Sequence, residues 1–210
     1  LARNMTAFYR EDRTGAPDIL YLTLATAQTF AGIGQVAPHD VLKFTPTQLG
    51  PTTQGTFSLY FDGSDVGLTT TNERIDALGM DGNRLLISTV GSGSVPRTGG
   101  ALGFADEDVI AFTPTSTGAT TAGDWALYFD GSAAVRGLGA EDVSGFWDDP
   151  NSGDLYISLV DAFNLGGVTG AGRHILRLSP TGAGTYTPSI AWDGAAAGLG
   201  VLLDAFELAP

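Results

Sequence analysis

The chain contains no cysteine. Disulfides and thiolate metal sites are therefore excluded, while the compartment stays open, since many exported bacterial proteins also lack cysteine. Basic residues are scarce. Ten Lys and Arg stand against twenty-three Asp and Glu, for a net charge of −13, and Lys43 is the single lysine. Such a surface repels phosphate backbones and anionic membranes, so nucleic acid is not an expected partner. It favours cations, or simply solubility. Long apolar runs are missing too: the most apolar stretch, 195–203, is Ala/Gly-rich and too short to span a bilayer. No stretch holds a helical period. The Gly-x-Ser-x-Gly elbow is absent, and Gly91-Ser92-Gly93-Ser94 reads as a flexible loop. So is the Gly-rich phosphate loop ending in Lys. A nucleophilic triad would have to use His39 or His174, and nothing places a Ser beside either. The start, Leu1-Ala2-Arg3-Asn4, shows neither an initiating Met nor a signal peptide and reads as that of a processed or excised piece.

What the chain does have is repetition. Its 210 residues are 43% hydrophobic, with thirty glycines and ten prolines, a composition of short strands joined by many turns. Trp125-Ala126-Leu127-Tyr128-Phe129-Asp130-Gly131-Ser132 nearly copies Phe57-Ser58-Leu59-Tyr60-Phe61-Asp62-Gly63-Ser64, 68 residues earlier. A worn third copy ends in Trp192-Asp193-Gly194. Within the middle unit, Ile75 to Met80 and Leu85 to Val90 read as strands around an Asp81-Gly82-Asn83 hairpin turn. The glycine-rich 91–105 reads as a long loop, followed by strands Val109 to Phe112 and Trp125 to Phe129. Four antiparallel strands per unit, repeated in tandem, predict an all-β protein of β-propeller blades. One repeat domain over 1–210 is expected, with blades at about 4–64, 72–132 and 141–194 and an extra C-terminal strand at 201–208. A β-solenoid is the alternative fold. Closed propellers hold four to eight blades, so three blades imply self-association, another protein chain, or further blades in a longer chain to close the ring.

The run of apolar strand, Asp-Gly-Asn turn, Leu-Leu-Ile-Ser strand and Asp-Val-Ile-Ala-Phe-Thr-Pro resembles blades of NHL-type and lactonase-type propellers. Leu-Tyr-Phe-Asp-Gly-Ser-Asp-Val-Gly-Leu at 59–68 and Ala-Asp-Glu-Asp-Val-Ile-Ala-Phe-Thr-Pro-Thr at 105–115 resemble tandem repeats of large exported bacterial surface proteins. The resemblance implies an extracellular or cell-surface setting and transfers no catalytic residue.

In such blades the loops after strands two and four share one face, which gathers the acidic residues and both histidines. Asp106, Glu107, Asp108, His39, Asp40 and His174 are the candidate metal ligands, with calcium as the ion, because hard cations need converging oxygens. Consecutive strand residues point alternately, however, so the three acids at 106–108 would grip one ion only from an irregular loop. Asp62, Asp130 and Asp193, each before a Gly, read as turn caps. The leading functional expectation is a non-enzymatic structural or adhesive surface module that works through assembly. A cation-dependent lactonase or esterase, its ion held by residues such as Asn4, Glu73 and Asp142, is one alternative. A glycan-binding propeller using exposed aromatics is another.

Overall fold

A computed structural model describes residues 4–182 and 184–208, so the start at Leu1-Ala2-Arg3 and the last two residues of the expected domain lie outside it. The chain is all-β, arranged as three four-stranded antiparallel sheets and three two-stranded pairs. Sheet 1 comes from β1 (Met5–Glu11), β2 (Ile19–Leu24), β5 (Val41–Gln48) and β6 (Gln54–Phe61), with the small pair β3 (Gln28–Phe30) and β4 (Gly34–Val36) between its second and third strands. Sheet 2 repeats the plan with β7 (Ile75–Asp81), β8 (Arg84–Thr89), β11 (Val109–Ser116) and β12 (Ala122–Phe129), and the pair β9 (Gly93–Arg97) and β10 (Gly100–Phe104). Sheet 3 holds β13 (Val143–Asp148), β14 (Leu155–Leu159), β17 (Ile175–Gly182) and β18 (Thr185–Trp192), with β15 (Phe163–Leu165) and β16 (Val168–Gly170) as its pair. In every sheet the four long strands lie in chain order. One of the two-residue turns is the expected one. Asp81 pairs with Arg84 across Gly82 and Asn83, and Gly82 takes φ 59°, the left-handed backbone that a two-residue hairpin requires.

Stacking of the sheets explains the sequence pattern. In β8, Leu85 and Ile87 face sheet 1 while Leu86 faces sheet 3, and all three are buried. In β11, Ile110 and Phe112 face one way, Val109 and Ala111 the other. A strand covered on both sides reads as a continuous apolar run rather than an alternation. The first interface meets Ala7, Tyr21, Val41 and Phe61 of sheet 1 with sheet 2. Its centre is aromatic: Phe112 lies 5.2 Å from Phe61 and 4.8 Å from Trp125, ring centre to ring centre. Such pairs add about 0.5–1.5 kcal/mol each beyond area burial. The Trp125 indole is satisfied by the Val66 carbonyl at 3.0 Å.

Two expectations are corrected. The glycine-rich 91–105 is not an irregular loop but contains the β9 and β10 hairpin. Val95, Leu102 and Phe104 are buried in the interface of sheets 1 and 2, and that burial orders a segment whose composition alone favours a loop. The extra strand at 201–208 does not form among the described residues, because no second strand lies beside it to pair with. The segment docks all the same. Leu203 N–H donates to the Gly172 carbonyl at 2.9 Å, as Ile75 does to Pro38 and Val143 does to Asp106. Phe206 is buried against Gly145, where a Cβ would sit 3.0 Å from its ring, as Phe146 is against Gly79. The segment therefore occupies the place of a fourth unit's first strand.

Candidate functional site

Three side chains at equivalent positions hold the loop end of each sheet. Asp40 accepts from the backbone N–H groups of Ala37 at 2.7 Å and Gly63 at 3.0 Å. Asp108 accepts from Ala105 at 2.9 Å and Gly131 at 3.0 Å. His174 takes the third position, its Nδ1 accepting from Ala171 N–H at 3.1 Å and its Nε2 lying 3.1 Å from Asp193. Each ties the loop before the third long strand to the Asp-Gly turn after the fourth. Gly63, Gly131 and Gly194 pass so close to the carbonyls of His39, Glu107 and Arg173 that a Cβ would overlap them. The preceding aspartates cap the turns, accepting from Ser64, Ala133 and Ala196 N–H. Burial raises the Asp40 and Asp108 carboxyls above the ordinary range although these N–H bonds oppose it.

The six candidate ligands are thus distributed over three loops. His39 and Asp40 belong to sheet 1, Asp106, Glu107 and Asp108 to sheet 2, and His174 to sheet 3. Glu107 is buried beside Gly131 and Gly139. Among the described residues no group of three or more His, Cys, Asp or Glu stands in metal-holding geometry. Glu73 is committed elsewhere: burial works against its charge, but the N–H groups of Thr69 and Thr70, each at 2.7 Å, hold its carboxyl below the usual range.

The junctions between successive units carry a second repeated feature. Each first strand has an irregular register near its start, at Thr6, Asp76 and Ser144. Thr6 Oγ1 donates to the Ile75 carbonyl of the next unit at 2.9 Å and meets Thr23 Oγ1 at 2.8 Å. Ser144 Oγ reaches the Leu203 carbonyl at 3.5 Å and Ser158 Oγ at 3.3 Å. At the middle junction the hydroxyl is replaced by the carboxylate of Asp76, which is 7% exposed. Its neighbour Ser88 turns instead to the carbonyls of Asp106 and Asp108. Both Asp76 oxygens and Asp142 Oδ1 are buried without a hydrogen-bond partner. Burial, then the adjacent Asp142, drives the Asp76 carboxyl well above the carboxylate range. Burial and Asp106 raise Asp142 to about 6. Sequence reasoning singled out Asp142 and missed Asp76, although the departure from Thr and Ser was readable once the three units were aligned.

At the opposite end, the tips of the first hairpins and Glu207 surround a cavity of about 390 Å³. Tyr9, Arg10, Asp81, Trp147 and Asp148 line it. Tyr128 donates to Asp148, and Arg84 pairs with Asp81. The Glu207 carboxyl is raised to about 7 by burial, against the Arg10 backbone N–H and the Arg10 charge, which favour the ionised form. Glu207 therefore links the docked end segment to sheet 1 across this cleft. No family model, curated protein or solved structure matches the chain.

Proposed function

We propose that the three sheets are propeller-type blades and that the chain is a non-enzymatic structural or adhesive module of the cell surface or extracellular space. It acts by docking blade against blade with a second copy of itself. The supporting observation is an equivalence of faces. Ile75, Ile87 and Trp125 of blade 2 are 1%, 1% and 3% exposed because blade 1 covers them. Their counterparts on blade 1 are Met5, Leu22 and Phe57. With Leu24 and Phe30 these line an open apolar groove of about 400 Å³. Met5 is 42% and Phe57 43% exposed. The outward side of blade 3 also shows an apolar group, Trp192, which pairs with Ile175 and is 38% exposed. A head-to-tail contact would continue the interfaces already made twice within the chain. Such a contact is heterologous, and it yields a ring if the rotation closes and a filament if it does not. Light scattering across a concentration series tests the reading. A mass above that of one 21.6 kDa chain, growing with concentration, is expected. A single-chain mass throughout would overturn it.

A further inference from the structure

The junction of sheets 2 and 3 is the odd one of three. On either side of it, Thr6 and Ser144 bridge to the next unit through a hydroxyl hydrogen bond. Asp142 stands where the other junctions have Arg74 and Leu202, and Asp106 where they have Pro38 and Gly172. Three carboxylates therefore replace uncharged or basic residues at a single seam. Asp76 is more than nine-tenths buried and faces Asp142, and three of their four oxygens have no partner. Among the described residues, the strongest influences on both carboxyls are burial and neighbouring aspartates rather than any base.

A buried carboxylate and a partly buried one, side by side with no base among their strongest neighbours, cannot both keep an uncompensated charge. Something positive has to lie between them. A proton makes one hydrogen bond, donated by one carboxyl and accepted by the other, and leaves the third oxygen unpaired. A metal ion engages all three at once. Oxygen-only ligands select a hard cation, and the net charge of −13 draws it in. We propose that Asp76 and Asp142 bind a calcium-class cation at the seam of sheets 2 and 3, with Asp106 adding negative charge from the adjoining loop. Main-chain carbonyls and water complete the shell, as they commonly do around calcium. The other two junctions need no ion, because hydroxyls close the same gap. The seam lies inside one chain, so this inference stands or falls independently of self-association.

Isothermal titration of the chelator-stripped chain with calcium chloride provides the test, with magnesium chloride and sodium chloride in separate arms. One calcium per chain, together with a calcium-dependent rise in melting temperature, is expected. Asp76→Ser introduces the residue type of Ser144. It is expected to weaken calcium binding by at least about a hundredfold, more than the loss of an outer-shell partner, and to keep a cooperative melt in chelator. Asp142→Asn is the second variant and loses calcium in the same way. Absence of stoichiometric uptake by the wild-type chain overturns the site, as does unchanged binding in either variant or tighter binding of magnesium than of calcium. A wild-type chain that takes up no ion but loses stability in chelator as pH rises holds a shared proton instead.

Discussion

The Asp-Gly pairs show how a single atom governs this chain. At Gly131 the backbone passes directly over the Glu107 carbonyl, and Asp108 accepts the Gly131 N–H at 3.0 Å. A methyl group there has to displace main chain rather than a flexible side-chain tip. Gly131→Ala is expected to cost about 1–3 kcal/mol, the range for forced overpacking, read from urea unfolding. Glu207 makes the second residue-scale prediction. An ordinary Glu titrates near ~4.3, whereas burial raises this one to about 7. The native chain thus holds a proton that the unfolded chain has already released. Stability from this group is full at low pH, falls as pH rises from about 4 through about 7, and levels off above. Glu207→Gln is expected to remove that slope, as measured by urea midpoints between about pH 4 and about pH 8.

At the scale of elements, strands were legible wherever side chains along one stretch carry the pattern. Leu85-Leu86-Ile87 and Val109 to Phe112 announce doubly covered strands, and both lie between two sheets. The β9 and β10 hairpin was not legible, because Val95, Leu102 and Phe104 are thinly spread among Gly, Ser and Pro and are ordered only by the interface they fill. The end segment is the converse case. Its Leu202-Leu203-Asp204-Ala205-Phe206 text copies a first strand, yet a strand needs a neighbour to share its hydrogen bonds. What remains is docking by Phe206, whose burial is worth about 1.5–3 kcal/mol. Phe206→Ala is expected to speed amide exchange at Leu203 by opening the segment locally. The equivalent amides of Ile75 and Val143 should be unchanged, which makes them internal controls for hydrogen exchange followed by mass spectrometry or NMR.

For the whole molecule, the question is what covers the two terminal faces. Sheet 2 is covered on both sides, whereas Met5 and Phe57 leave the front of sheet 1 open. If a second copy covers that groove, a carboxylate placed in its middle must be desolvated on docking, at a cost of several kcal/mol. Phe57→Asp is therefore expected to return the native mass to that of one chain. Circular dichroism should be unchanged, since Phe57 is already half exposed in the single chain. The candidate sites were partly legible at this scale. Aligning the units brings out Asp40, Asp108 and His174 as one position, but not that each is consumed by its own loop.

The sequence by itself determined the repeat, the four strands of each unit, and the Asp-Gly turns, because all of these depend on side chains near one another along the chain. Tertiary structure alone decided which groups meet across a seam. Asp76 lies in β7 and Asp142 just before β13, and the burial of Asp76 and of Asp142 Oδ1 follows from how one sheet settles on the next. No periodicity within either strand encodes that distance.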